Sequence, residues 1–135
     1  MQGAIVLGDY PINANIPVTD LARSKDFYEN TLGLTVVSEM GGGSVFFEAG
    51  NGTFLEISRT QGTVGAGHTE AGFTVHDLER VVAGLKERGV EFQEVDMGEG
   101  MSTVDGILTM GPMKAAWLVD PDDNIVGLFQ PPPSE

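Results

Sequence analysis

Hydrophobic and polar positions follow two patterns along the chain, one typical of helices and one of strands, and both patterns occur in each half. Apolar residues at spacings of three and four predict two amphipathic helices, at about 20–32 and about 77–88. Short apolar runs bounded by glycine, proline or aspartate predict strands before and after each helix. After the helices we expect three strands each, at about 34–40, 44–49 and 53–58 in the first half and about 90–96, 115–119 and 124–129 in the second.

Both predicted helices carry the same start and stop signals. Asp20 and Asp77 stand where an N-cap residue accepts a backbone hydrogen bond. Gly33 and Gly89 follow the last apolar positions, where a left-handed C-cap favours glycine. The two helices therefore look like copies of one unit.

The two halves of the chain also match in sequence. "VTDLAR" at 18–23 matches "VHDLER" at 75–80, with an offset of 57 residues. "FFEAGNGTFLEI" at 46–57 matches "WLVDPDDNIVGL" at 117–128 without a gap, with an offset of 71 residues. The second half therefore contains fourteen extra residues, which fall in the Gly- and Met-rich segment 98–113.

This repeat predicts the domain organisation. We expect one α+β domain over 1–135, with a first βαβββ module at 12–58 and a second at 68–130. The segment 98–113 is then a loop inserted in the second module, and its composition suits either a flexible lid or a plain surface loop. The stretch "DPDDN" at 120–124 is typical of a tight hairpin turn.

Three stretches resemble the paired modules of the vicinal oxygen chelate (VOC) superfamily: "IPVTDLARSKDFYENTLGL", "AGFTVHDLERVVAGLKERGV" and "AWLVDPDDNIVGLFQ". That superfamily includes glyoxalase I, extradiol dioxygenases and bleomycin-binding proteins. The resemblance covers about residues 12–130 and implies two modules whose curved mixed sheets, each a half-barrel, surround a cavity. It also implies a homodimer, in which the cavity is often built from both chains. It does not select one function, because this fold supports many chemistries.

The resemblance further implies a divalent metal held by two side chains from each module. The corresponding positions here are Asn13 and Glu70 in the first strands, and Glu56 and Gly127 in the last strands. Glycine offers no side-chain donor and asparagine only a neutral one, whereas such ions need several anionic or imidazole ligands. We therefore expect no metal cofactor, the alternative being a Zn, Ni, Mn or Fe ion held by Glu56, Glu70 and His68. His68 also suits a solvent-exposed position at the edge of its strand.

Strand alternation predicts a mostly apolar cavity with a few polar groups. Inward positions alternate with positions that pack under the helices, as Ile12, Ile16 and Val18 would in the first strand. Phe46 and Trp117 are equivalent in the repeat and suit either opposed aromatic walls or ordinary core packing. Such a composition is typical of sites for small organic ligands. The expected lining residues are Asn13, Asn15, Phe46, Phe54, Glu56, His68, Glu70, Trp117, Gly127 and Phe129.

Charge and composition narrow the choice of partners. The chain has 20 acidic and 7 basic residues, a net charge of −13, and no cysteine. So few cations on this background cannot build the basic face that nucleic acids or anionic membranes require. Without cysteine there is no thiol nucleophile, thiolate metal site or disulfide. The opening apolar run, Ala4 to Leu7, is too short for a signal peptide, so the cytoplasm is the expected location.

Two functions follow from these expectations. The first is a metal-free protein of the glyoxalase/bleomycin-resistance type, which binds a small apolar or aromatic compound in the cavity. The second is a metal-dependent lyase, isomerase or dioxygenase, in which Glu56 or Glu70 would transfer a proton beside the metal. The replaced donors at Asn13 and Gly127 favour the first function. Whether the chain is an enzyme stays open.

Overall fold

The structure is a computed structural model that describes residues 5–133, with the Met40 side chain excepted. The run Ala4 to Leu7, on which the expected location rests, therefore lies partly outside the described residues. The described chain forms two β-sheets, each with one helix packed on one face. No helix in this range is long and apolar enough to cross a membrane.

The first module forms a four-stranded sheet with the order β1-β4-β3-β2. Its strands are β1 (Ala14–Val18), β2 (Thr35–Met40), β3 (Ser44–Glu48) and β4 (Phe54–Arg59). Helix α1 spans Leu21–Asp26 and continues into a π-helical turn, Phe27–Thr31. The predicted helix is therefore present, but its second half is wound more widely than an α-helix.

The second module forms a five-stranded sheet with the order β5-β9-β8-β6, in which β7 also pairs with β8. Its elements are β5 (Thr69–Thr74), α2 (Leu78–Glu87), β6 (Glu91–Phe92), β7 (Ile107–Met110), β8 (Met113–Val119) and β9 (Ile125–Gln130). The strand predicted at 90–96 is shorter than expected, and part of the predicted inserted loop forms β7 instead. Strand β7 pairs with β8 beyond the end of β6, so the backbone groups along this edge of β8 stay hydrogen-bonded.

Equivalent strands of the two sheets pair in the same register. Asn15 of β1 lies opposite Glu56 of the parallel strand β4, and Gly72 of β5 lies opposite Gly127 of the parallel strand β9. Gly72 follows Asn15 by 57 residues and Gly127 follows Glu56 by 71, which are the two offsets of the sequence repeat. The predicted α+β fold with two tandem βαβββ units is therefore confirmed.

The signals at the helix ends are confirmed as well. The Asp20 carboxylate accepts a hydrogen bond at 3.1 Å from the backbone N–H three residues later, and Asp77 does the same at 3.4 Å. Gly33 and Gly89 both have a φ of +85°, a left-handed conformation that costs glycine little. These local interactions fix where each helix begins and ends.

One hydrophobic core joins the helices to the sheets. Its buried side chains include Ile16, Val18, Tyr28, Val45, Phe47, Leu55, Ile57, Leu78, Val82, Ala116, Leu118, Val126 and Leu128. Ile12 is not among them: it precedes β1 and is 93% exposed, so the expectation that it packs under the helices is wrong. We call the opposite side of both sheets, which alternates with these core positions, the helix-free face.

Candidate functional site

The two sheets meet along one boundary, where β1 lies beside β5. At one end of this boundary a cleft of about 610 Å³ opens between them. It is lined by residues 12–14 before and in β1, by 49–51 and 53–55 around the β3–β4 turn, and by 71–74 of β5. None of these lining residues carries a charge. The volume and the mainly apolar lining are typical of a small-molecule site.

Two of the predicted cavity residues line this cleft, Asn13 and Phe54. The Phe54 side chain is 44% exposed, so much of its ring is free for contact with a ligand. The turn at 49–53 also lines the cleft, and sequence reasoning missed it. The missed signal is the contrast between "AGNGT" and its polar repeat equivalent "DPDDN".

A polar stripe crosses the helix-free face of the first sheet, next to the cleft. The Ser58 hydroxyl lies 3.0 Å from Asn15 Oδ1 and 3.2 Å from Glu56 Oε2. It also lies 3.1 Å from the Ser44 hydroxyl. Phe46 stands beside this stripe, opposite Glu56 on the neighbouring strand. Since a hydroxyl has only one proton, Ser58 donates to one acceptor at a time and the other keeps free capacity for a ligand.

The helix-free face of the second sheet is apolar at the equivalent position. Trp117 lies opposite Gly127, just as Phe46 lies opposite Glu56 in the first sheet. A Cβ atom at Gly127 would meet the Thr69 methyl group at 3.4 Å and the Trp117 ring at 3.7 Å, which are ordinary contact distances. Glycine therefore leaves open space beside the tryptophan, where the family resemblance implies a carboxylate.

Strand alternation breaks down at Glu70. A bulge between Thr69 and Ala71 shifts the register, and the Thr69 methyl group approaches the space above Gly127. Burial and then Asp120 raise the pKa of Tyr28, and the nearby charge of Glu70 adds to this increase. Glu70 is the extra residue of this bulge and has no partner on β9 in the pairing register.

His68 lies before β5 rather than within it, and its side chain is exposed. Its Nδ1 atom lies 3.4 Å from the Thr69 carbonyl oxygen. This placement matches the second interpretation of His68, as a solvent-exposed residue at the edge of its strand.

The side chains at the implied metal positions do not fit a divalent ion. Within residues 5–133, no group of three or more His, Asp or Glu side chains is arranged to hold one. Glu56 interacts with Ser58, Glu70 lies at the bulge, and Asn13 and Gly127 supply no anionic donor. Divalent ions need several anionic or imidazole ligands converging on one point, and this set does not provide them.

A buried polar network joins the modules at the other end of the boundary. The Asn124 amide, which is 0% exposed, donates to the Pro17 carbonyl at 2.8 Å and to Asp120 Oδ2 at 2.9 Å. Its Oδ1 accepts a hydrogen bond from the Gly65 N–H at 2.9 Å. The Tyr28 hydroxyl donates to Asp120 Oδ2 at 2.8 Å. The turn at 120–124 therefore connects the second module to both β1 and the π-helical turn of the first.

Asp122 extends this network to the surface. Its carboxylate accepts hydrogen bonds from the Thr19 N–H at 2.9 Å and from the Thr19 hydroxyl at 2.5 Å. It also forms an ion pair with Arg23 at 2.9 Å. The same turn therefore holds the first residues after β1 as well.

The inserted segment lies on the helix side of the second sheet. Four of its residues between Gly100 and Asp105 line a second cavity of about 420 Å³, together with Glu79 of α2 and Lys114 of β8. Lys86 of α2 also donates to the Asp105 carbonyl at 2.7 Å. These contacts favour a surface loop beside α2 over a lid above the cleft.

Two carboxylates organise this loop. Glu94 accepts hydrogen bonds from the Thr103 hydroxyl at 2.6 Å and from the Gly106 N–H at 2.9 Å, and these bonds lower its pKa. Asp96 accepts one from the Gly98 N–H at 2.9 Å, which, with a hydrogen bond from Ser102, lowers its pKa. The loop is thus ordered by local hydrogen bonds to ionised side chains.

The fold, with a cleft at one end of the boundary between the modules and a buried polar network at the other, is typical of one class of protein. The chain belongs to the Glyoxalase/Bleomycin resistance protein/Dioxygenase superfamily, whose family model matches residues 12–126. No curated protein sequence matches the chain.

Several solved structures share this fold. TnmS3, an antibiotic binding protein from Streptomyces sp. CB03234, is 24% identical over 96% of this chain and 99% of its own, with a TM-score of 0.67. A glyoxalase/bleomycin resistance protein from Catenulispora Acidiphila DSM 44928 is 21% identical over 90% and 98%, with a TM-score of 0.65. The oxidase ChaP-H2 is 19% identical over 91% and 94%, with a TM-score of 0.67. At these identities the similarity establishes the fold and not the function.

Proposed function

We propose that the protein binds a small apolar or aromatic molecule, without a metal, in the cleft between its modules. The observation behind this proposal is the uncharged cleft of about 610 Å³, with the half-exposed ring of Phe54 in its wall. Aromatic side chains contribute large apolar contact area, which a ligand would remove from water. Asn13 supplies a polar group that would orient the ligand.

One structure with the same fold and an exposed aromatic residue on the helix-free face support this proposal. TnmS3, with the same fold, is an antibiotic binding protein. On the helix-free face Phe129 is 39% exposed, although aromatic side chains on sheets are usually covered. We propose that a homodimer forms in the cytoplasm and that its second copy covers part of this face.

The alternative is a divalent-metal-dependent lyase, isomerase or dioxygenase of the glyoxalase type. One observation favours it: Glu56 occupies a position where the resemblance implies a metal ligand, and it lies on the helix-free face. In that case Glu56, Glu70 and His68 would hold the ion, which would polarise a substrate oxygen. The bulge at Glu70 and the exposed start of β5 count against this arrangement.

A thermal-shift screen of small aromatic compounds tests the binding function. A ligand that binds only the native state raises the melting temperature. Truncation of Phe54 to alanine should weaken binding by roughly tenfold, since a central aromatic contact is lost. Val37→Ala is the matched control, because Val37 is similarly exposed but lies outside the cleft. Equal affinity in both variants would place the ligand elsewhere.

Metal content separates the two candidate functions. Protein purified without chelator should contain only traces of metal, whereas about one equivalent per chain would support the enzyme. The double variant Asn13→His with Gly127→Glu supplies the missing donors, and position 127 has room for a Cβ. It should gain metal binding that a further Glu56→Gln change removes. No gain would show that the four positions do not converge.

A further inference from the structure

We propose that the ligand of the cleft is an organic cation with an apolar or aromatic body. This inference rests on the proposed function and adds the charge of the ligand. It follows from how charged side chains are divided between the two sides of the sheets, and not from the cleft lining itself, which is uncharged.

All seven basic side chains of the chain lie on the helix side or on the helices. Five of them, Arg23, Lys25, Arg80, Lys86 and Arg88, belong to α1 and α2 or directly follow α2. The other two lie on strands. Arg59 lies on the same strand face as the core residues Leu55 and Ile57, and Lys114 lies on the same strand face as Ala116 and Leu118. The Lys114 ammonium also pairs with Glu79 of α2, which confirms its side.

Two carboxylates lie on the opposite, helix-free face and flank the exposed phenylalanine. Glu48 lies directly opposite Phe54 on the neighbouring strand. Glu56 lies two residues beyond Phe54 on the same strand face, opposite Phe46. The aromatic wall of the cleft is therefore bordered by two acidic groups, and no basic side chain on this face compensates them.

A cation suits this arrangement in three ways. It gains Coulomb attraction from Glu48 and Glu56, neither of which forms an ion pair with a basic side chain among residues 5–133. It gains a cation–π interaction where it meets the face of Phe54 or Phe46. The net charge of −13 also attracts cations toward the protein and repels anions. The uncharged cleft then accepts the apolar body of the same molecule.

Three tricyclic probes of similar size and different charge test this inference. They are 9-aminoacridine as the cation, acridine at pH 8 as the neutral compound and 9-anthracenecarboxylate as the anion. Their dissociation constants are measured by calorimetry and by fluorescence of Trp117, the one tryptophan of the chain, on the helix-free face. We expect the cation to bind at least about tenfold more tightly than the anion, with the neutral probe between them.

Charge-neutral variants assign the preference to named residues. Glu56→Gln and Glu48→Gln should each weaken binding of 9-aminoacridine by roughly fivefold and leave acridine unchanged. Glu87→Gln on α2 is the matched control, since it removes the same charge from the helix side. Added salt should weaken the cation and not the neutral probe, because the attraction is screened. Circular dichroism confirms that the variants are folded.

The outcomes distinguish this inference from the proposed function. Equal affinity for all three probes, or a cation preference that survives both glutamine changes, would overturn the inference while binding itself stands. Binding of acridine that Phe54→Ala weakens would still support the proposed function. If no probe bound and Trp117 fluorescence stayed constant, the result would contradict both the inference and the proposed function.

Discussion

The turns at 49–53 and 120–124 occupy equivalent places in the two modules and differ in what they do. In the second module, Asp120 and Asn124 are 4% and 0% exposed and bind groups of the first module. In the first module, the equivalent residues Ala49 and Thr53 line an open cleft. The same position of the repeat therefore joins the two modules in one copy and lines an open cleft in the other.

Side-chain chemistry explains the difference. Asn124 has both a donor and an acceptor, so it satisfies the Pro17 carbonyl and the Gly65 N–H at once. Thr53 has only a hydroxyl, and this donates to the Gly50 carbonyl within its own turn at 2.7 Å. The boundary is closed where long polar side chains span it and open where the turn has short ones.

The largest effect is expected for Asn124→Ala. The change leaves the Pro17 carbonyl, the Gly65 N–H and part of Asp120 without partners in a buried place, which should cost about 3 kcal/mol of unfolding free energy. The equivalent change Thr53→Ala should cost less than about 0.5 kcal/mol, because Thr53 is exposed. Urea denaturation measures both. Similar losses at the two sites would refute the contrast between the turns.

Tyr28→Phe is expected to have the next largest effect. It removes the buried hydrogen bond to Asp120, while Asn124 still donates to the same oxygen, so the loss should be about 1.5 kcal/mol. Tyr10→Phe is the control, since Tyr10 is exposed and lies outside the core. If both changes had the same small effect, the Tyr28 hydroxyl would contribute nothing to the stability of the polar network that joins the modules.

Alkaline pH should reduce the stability that the Tyr28–Asp120 hydrogen bond contributes. Burial, followed by Asp120, raises the pKa of Tyr28, so the folded protein keeps a proton that the unfolded chain releases above about pH 10. The unfolded state then binds fewer protons, and stability falls as pH rises, by at most about 1.4 kcal/mol per pH unit. The stability advantage of wild type over Tyr28→Phe should therefore shrink between pH 9 and 11, approximately. A constant difference would contradict this.

The smallest effect is expected in the loop between β6 and β7 of the second module, which has no counterpart after β2 of the first module. Hydrogen bonds lower the pKa of Glu94 and Asp96, so their contribution is present above the ordinary carboxyl pKa and is lost as pH falls through the lowered value. At neutral pH, Glu94→Gln should speed amide hydrogen exchange in the loop around Met101. As the pH falls through the lowered pKa of Glu94, the exchange rates of the variant and of wild type should converge. The turn at 41–43 serves as the control.

Much of the fold follows from local patterns in the sequence. The residues Asp20 and Asp77 act within one helical turn, and the apolar spacing of Leu78 and Val82 needs only the helix itself. The repeat offsets then give the strand pairing, because both modules bury the same alternate positions. Two of the residues predicted from the sequence to line a ligand cavity, Asn13 and Phe54, line the cleft, and their part in binding stays a prediction.

The candidate site depends on contacts that local patterns do not contain. The bulge before Ala71 moves Glu70 out of strict alternation, and nothing in a period of two predicts one extra residue. Likewise β7 pairs with β8 only because β6 ends early. Such choices depend on which arrangement satisfies all backbone groups together.

The sequence by itself predicts two copies of one unit, most of their helices and strands, and a strong excess of acidic over basic residues. Only the folded chain reveals that the modules are joined at one end of their boundary and separated at the other. The reason is physical: periodicity reports what each segment buries, whereas the opening between segments depends on side chains distant in sequence, such as Asn124 and Pro17, which meet only after folding.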